Sequence, residues 1–177
     1  MARVGQGDAS ACRTLVQRHL PRVVAFAQRV LGDAAEAEDV AQEVFVRVWT
    51  SAPRWEPRAQ LSTWLHRVAM NFCLDRLARR REQSLDDVPE PLDPRPSPAS
   101  QAAARDLGRH VQVALLALPE RQRIAITLCH HQGFSSREAA EILGVGERAL
   151  ESLLARGRRA VRERLRAIAP DFVEGRR

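Results

Sequence analysis

Six arginines, Arg156, Arg158, Arg159, Arg162, Arg164 and Arg166, face a single acid, Glu163, over eleven residues. Guanidinium groups bond phosphate oxygens and base edges in pairs, so such a stripe is suited to hold one side of a nucleic-acid duplex. All 28 basic residues of the chain are arginine, which a GC-rich genome would also produce, so the charge is informative where it clusters. Just upstream, Ser135-Ser136-Arg137-Glu138-Ala139-Ala140-Glu141-Ile142-Leu143-Gly144-Val145-Gly146 reads as helix, turn and entry to a second helix. Ser135 and Glu138 have capping-box spacing, small Ala139 and Ala140 allow a close crossing, and Gly144 suits a left-handed turn. Leu143, Val145, Leu150 and Leu153 are spaced to fill the angle between the helices. The second helix then turns Glu147, Arg148, Glu151, Ser152, Ala155 and Arg156 outward, where a recognition helix meets the major groove.

Two further constellations lie in the first half. Asp39, Gln42 and Glu43 fall at i, i+3 and i+4, opposite Val40, Val44 and Phe45, and form an acidic ridge on a basic protein. The spacing leaves this ridge open between a solvated helix face and a dock for a basic protein surface. Arg67, Asn71 and Asp75 line up at i, i+4 and i+8 and run into Arg76, Arg79, Arg80 and Arg81, beside a segment carrying Trp55, Arg58 and Gln60. A basic, amide-bearing face next to aromatic residues is suited to hold unpaired bases by stacking and phosphate contacts. Trp64 reads as an ordinary core aromatic, and the spacing leaves Trp55 open.

Other chemistry has little support. No nucleophile sits with a base and no glycine-rich phosphate loop occurs, so the chain does not read as an enzyme. The acids Glu36, Glu38, Asp39 and Glu43 could hold magnesium as in a nuclease, but nothing supplies the rest of such a site. Cys129-His130-His131 lacks a distant fourth ligand, and His19, His66 and His110 read as isolated surface or satisfied histidines, so no metal and no cofactor is expected. Cys12, Cys73 and Cys129 are odd in number and widely spaced, which suggests reduced, half-buried thiols. No apolar run reaches the roughly eighteen residues of a membrane span, and Met1 to Asp8 lacks the core of a secretion signal; no membrane insertion is expected and the cytoplasm is the default compartment.

The elements that position these residues read as all-α. Leu15, Val16, Leu20, Val23, Val24, Phe26, Ala27 and Val30 make one helical stripe, and Gly32-Asp33 is a stop followed by a new start. Val40, Val44, Phe45, Val48 and Trp49 occupy core positions of the next helix. After Pro53 and Pro57, Trp64, Leu65, Val68, Ala69, Phe72 and Leu77 mark a third, with Ser62 or Thr63 as its expected cap. Residues 82–104 carry Pro89, Pro91, Pro94, Pro96 and Pro98, with five acids against the single Arg95. Proline at that density favours extended chain, so the segment reads as a flexible acidic linker whose two flanks move as separate bodies. The expected organisation is two small helical domains, 5–81 and 105–168, the second a helix-turn-helix.

The block from Ala37 to Trp49, followed by Thr63 to Asn71 and then the helix-turn-helix, resembles the extracytoplasmic-function (ECF) sigma factors over roughly Gly5 to Ile168. The resemblance implies that 5–81 corresponds to the family's region 2 and 105–168 to its region 4. Asp39, Gln42 and Glu43 would then meet the clamp helices of the largest subunit of core RNA polymerase, with the flap region as a second contact. Trp55, Arg58, Arg67, Asn71, Arg76, Arg79 and Arg80 would lie along the melted minus-10 element of promoter DNA. Ser135, Arg137, Glu147, Arg148, Glu151, Ser152, Arg156, Arg158 and Arg159 would meet the minus-35 duplex. The linker would enter the polymerase near the RNA path, and an anti-sigma factor is an expected partner. Two features depart from the family pattern: Glu151 replaces a usual base in the recognition helix and could accept only from a cytosine amino group or orient Arg148, and the loop from Trp55 to Ser62 lacks the usual small acidic and glycine residues. The rival reading is a stand-alone helix-turn-helix repressor or activator that uses its first half to dimerise or bind a ligand.

Overall fold

In the computed structural model, which describes residues 1–57, 59–83 and 102–168, all regular elements of the described residues are helical. A short α1 (Ala2–Gly5) leads into α2 (Ala9–Leu31) and α3 (Ala34–Ser51), followed by a 3-10 turn (Ala52–Arg54) and α4 (Leu61–Gln83). The second half holds α5 (Ala102–Leu116), α6 (Glu120–Ile126), a π-helical turn (Thr127–His131), α7 (Ser136–Leu143) and α8 (Glu147–Ile168).

Side-chain caps set several of these boundaries. Asp8 accepts from the Ser10 and Ala11 backbone amides at 2.9 and 3.0 Å and starts α2, and those bonds, with Ser10 and Arg3, hold its carboxyl well below the usual carboxylate range. Gly32 ends α2 at φ 78°, and Asp33 then accepts from the Glu36 amide at 2.9 Å to start α3. Stop and restart thus fall where the sequence places them. The stripe also holds: Leu15, Val23, Phe26, Ala27 and Val30 of α2 are buried against Val40, Val44, Phe45 and Val48 of α3. Pro21 sits inside α2 and removes one amide from its ladder without ending the helix.

Two expectations are corrected. Trp49 is not in the core: it is 42% exposed, rests its ring near Phe45 and donates its indole N–H to Cys12 Sγ at 3.3 Å. Val48 and Ala52 take the buried positions at this end of the helix, and Trp49 is left at the edge of the core. Neither Ser62 nor Thr63 caps α4, because the helix already begins at Leu61 and Trp64 bonds back to the Gln60 carbonyl. Thr63 is buried instead, and α4 buries Leu65, His66, Ala69, Met70 and Cys73, a face one residue over from the Trp64, Val68, Phe72 line, whose members are half-buried.

The ends of the expected linker are helical, since α4 runs on to Gln83 and α5 starts at Ala102; its middle, 84–101, and the tail from 169 lie outside the described residues, as does Arg58. The flanks are not apart. Phe134 rings His66 edge-on at 4.7 Å, and His66 in turn meets Phe26 at 5.4 Å, so one buried apolar cluster runs through both halves. Arg123 of α6 is only 6% exposed and donates to the Val30 carbonyl at 2.7 Å. Gln112 of α5 reaches the Arg29 carbonyl at 3.3 Å, and Gly32 lies so close to Leu116 that a Cβ there would come within 2.7 Å of it.

The helix-turn-helix forms as the spacing demands. Ser135 and Glu138 bond reciprocally in a capping box, Gly144 adopts φ 64°, and Ala139, Ala140, Ile142, Leu143, Leu150 and Leu154 are buried. Ser135→Ala is expected to lower the free energy of unfolding by about 1 kcal/mol in urea titrations followed by circular dichroism, with little change in total helicity. An unchanged midpoint would mean that the cap does not hold α7.

Candidate protein-docking and nucleic-acid surfaces

The α3 ridge is exposed at Asp39, Gln42 and Glu43, and these line an open groove with Val46, Arg47, Thr50, Phe72 and Arg76. Val46, 60% exposed, gives the groove an apolar floor that the charge pattern did not disclose. Glu43 Oε1 meets Arg76 Nη2 at 2.7 Å, and Glu36 meets Arg80 at the same distance. Arg80 also donates to the Leu31 carbonyl at 3.1 Å. Arg76 and Arg80 therefore lean on α3, on the side of α4 away from Arg67 and Asn71. The structure does not bring them together with the candidate single-strand face; they brace the ridge instead. The signal was available in the sequence, because Arg76 lies nine residues beyond Arg67, half a turn out of phase. Arg79 and Asn71 are exposed.

On the other side of α4, Trp55 and Trp64 pack edge to face at 5.0 Å. With Ser51, Arg54, Glu56, Ala59 and Arg67 they line a second open pocket, and both indoles are only partly buried. Trp64 packs against the core, as expected, and its remaining surface lines the pocket. The exposed part of an indole face beside a guanidinium is an arrangement that can stack an unpaired base and hold its phosphate. Glu141 of α7 closes one side of this pocket: Arg67 Nη2 donates to its carbonyl oxygen at 2.6 Å and lies 3.3 Å from its carboxylate.

The third surface is α8. Glu147, Arg148, Glu151, Ser152, Arg156, Arg158 and Arg159 are all exposed, while Leu150, Leu154 and Gly157 face inward. Gly157 lets α8 approach α6, since a Cβ there would lie 2.7 Å from Ile126. Ser135 and Arg137 are exposed at the start of α7. Among the described residues no ion pair engages Arg148 or Glu151, so both are free to meet a partner. Arg164 is turned away from the stripe and donates to the Ala117 carbonyl at the end of α5, at 3.2 Å.

Comparison with known proteins shows the family of the chain. Sigma-70 region 2 matches residues 15–83, and Sigma-70 region 4 matches residues 109–161. The chain is 34% identical over 155 residues to the ECF RNA polymerase sigma factor SigM of Mycobacterium tuberculosis, covering 86% of this chain and 76% of that protein. The chain belongs to the ECF sigma factors. It is also 36% identical over 166 residues to the ECF RNA polymerase sigma factor SigE of Mycolicibacterium smegmatis, spanning 90% of this chain and 64% of that relative's length. Among solved structures it resembles the sigma factor RpoE of Bartonella quintana, crystallised with the anti-sigma factor NepR, at 25% identity and a TM-score of 0.71 over 87% of this chain and 96% of that one. Both regions occur in one chain and in order, which disfavours a stand-alone helix-turn-helix regulator. No helix among the described residues is long and apolar enough to cross a membrane, and no group of three His, Cys, Asp or Glu among them is arranged to hold a metal ion.

His66, which the sequence presents as an isolated histidine, is the residue whose position the pattern least discloses. It is 1% exposed, its Nδ1 bonds the Ser62 carbonyl at 2.8 Å, and its Nε2 is buried with no hydrogen-bonding partner among the described protein atoms. Burial, assisted by the charge of Arg22, pushes its pKa down to about 4. The folded form therefore keeps His66 neutral while the unfolded chain takes up a proton below about 6.5. Its contribution to stability is complete above that pH and is lost as pH falls from about 6.5 through 4, on the order of 3 kcal/mol at the low end. His66→Gln should flatten the pH dependence of the urea midpoint in that window; an equally steep dependence would rule His66 out as its source.

Proposed function

We propose that this ECF sigma factor binds core RNA polymerase through the α3 ridge, grips the melted minus-10 strand at the Trp55, Trp64 and Arg67 pocket, and reads the minus-35 duplex with α8. It does no chemistry of its own; the polymerase makes the transcript. The observation that carries this reading is the separation of an acidic groove, an aromatic pocket and a basic recognition helix on three different faces of one chain, because promoter opening needs a protein dock, a single-strand grip and a duplex reader at once. Asn71 and Arg79 extend the single-strand face, and Arg58 belongs to the same segment by sequence. Ser135, Arg137, Glu147, Glu151, Ser152 and Arg156 flank Arg148 over the duplex, with Arg158 and Arg159 on the phosphates.

Residues 5–81 and 105–168 serve as the two promoter-binding domains, and 82–104 as the strap between them near the RNA path. The polymerase clamp helices meet the ridge and the flap region meets the second domain. An anti-sigma factor is the natural regulator, as for the RpoE relative crystallised with NepR. The cytoplasm is the compartment in which all of these partners meet.

Purified chain mixed with core polymerase should yield run-off transcripts from a subset of candidate promoters; absence of both a transcript and a complex with core would sink the reading. Because Glu43 also holds Arg76, the cleaner test of the ridge is Asp39→Ala with Gln42→Ala, expected to weaken core binding about tenfold with helicity intact. Loss of folding in that variant would assign the ridge a structural role instead. Arg148→Ala should change the ranking of upstream promoter sequences, whereas Arg158→Ala should weaken all DNA alike and reduce the salt slope by about one. A uniform loss for Arg148 would remove it from base reading.

A further inference from the structure

The outward face of α8 carries a carboxylate among arginines. At about 3.6 residues per turn, Arg148, Glu151, Ser152, Ala155 and Arg159 share the side opposite the buried Leu150, Leu154 and Gly157, and all five are exposed. Bonds within the helix leave few of their polar groups for a partner. Ser152 donates its hydroxyl to the Arg148 carbonyl at 3.0 Å, and Arg156 beside it donates Nε–H to the Ser152 carbonyl at 3.2 Å. Ala155 offers a methyl group. The Arg148 guanidinium and the Glu151 carboxylate, about a turn apart, make no hydrogen bond or ion pair among the described residues.

Glu151 has no support from its own helix. A glutamate gains most from a base four residues on, and that position holds Ala155; four residues back stands Glu147, a like charge. An unsupported acid on a face that approaches phosphates lowers affinity for DNA unless it meets a hydrogen-bond donor. An ionised carboxylate only accepts. In the major groove guanine presents the acceptors N7 and O6, and thymine presents O4 and a methyl group, so neither can bond it. Cytosine presents its N4 amino group, whereas the adenine amino group stands beside the N7 acceptor, which repels a carboxylate. Arg148 has the opposite requirement and matches the paired acceptors of guanine. Three residues advance α8 by roughly 4.5 Å, and a base pair advances the duplex by about 3.4 Å, so the two side chains fall on neighbouring pairs.

We propose that Glu151 is a specificity-determining residue that selects a cytosine in the upstream duplex, on the base pair next to a guanine held by Arg148. This rests on the assignment of α8 to the minus-35 duplex. Glu151 acts largely by exclusion, because opposite guanine or thymine the carboxylate gives up its water and gains no bond in return. The other role open to it, orienting Arg148, needs a contact that the two side chains do not make in the free chain.

The full chain, assembled with core polymerase, is offered double-stranded DNA randomised over the upstream element, and the bound sequences are counted for wild type, Glu151→Ala and Glu151→Gln. Wild type should enrich cytosine at least about fivefold at one position beside an enriched guanine. Glu151→Ala should lose the cytosine preference, keep the guanine and bind the unselected pool more tightly. Glu151→Gln should move the preference at that same position to adenine, because a side-chain amide pairs with its N6 and N7. Absence of a cytosine preference in wild type, or the same preference in all three proteins, overturns the proposal. Loss of the guanine instead of the cytosine in Glu151→Ala also overturns it and makes Glu151 a positioning residue for Arg148. Should no complex with core form, the sigma reading fails and the chain alone on the same pool decides: a cytosine preference that Glu151→Ala removes supports the proposal, and none overturns it.

Discussion

The open end of α2 is the point on which the rest of the structure depends. A helix leaves its last four carbonyls without intrahelical partners and carries partial negative charge there. In this chain those groups are met from three directions. Gln112 of α5 approaches the Gln28 and Arg29 carbonyls, Arg123 of α6 takes Val30, and Arg80 of α4 takes Leu31. Gly32, left-handed and without a side chain, clears the space in which Leu116 packs. One helix terminus thereby ties α4 to α2 within the first half and seats α5 and α6 of the second half beside it.

That arrangement divides the arginines into two populations. Arg22, Arg67, Arg76, Arg80, Arg123 and Arg164 are spent on carbonyls and carboxylates within the protein. Arg148, Arg158 and Arg159 point to solvent with no ion pair among the described residues. The planar guanidinium suits both tasks, since it can satisfy a helix end and still carry charge that no environment here neutralises. The internal group joins helices to one another, and the external group leaves its charge on the surface. Arg67 belongs with the first population, held by the carbonyl and carboxylate of Glu141 in the second half.

Much was legible before any coordinates. The helical stripes of α2 and α3, the stop at Gly32, the capping box at Ser135 and the outward face of α8 all follow from local rules: period, cap and turn chemistry within a few residues. Trp49 and the start of α4 escape the pattern because each depends on what covers a helix end or edge, and periodicity carries no information about cover. Arg76 and Arg80 follow Arg67 closely in sequence, yet the helix turns them toward α3 on its opposite side.

By itself the sequence determined the fold class, the helix-turn-helix and the ridge on α3, because these are written in short-range spacing, and the order of its blocks carried the resemblance to the sigma family. Only the tertiary structure decided that the two halves pack as one, that His66 is buried neutral between Phe26 and Phe134, and that Glu141 sits on Arg67. Those contacts join residues 40 to more than 100 positions apart, and a proline-rich connection gives no hint of them. Their physical cause is the shared need of orphan carbonyls and half-exposed apolar faces for partners, which either half alone would leave to water.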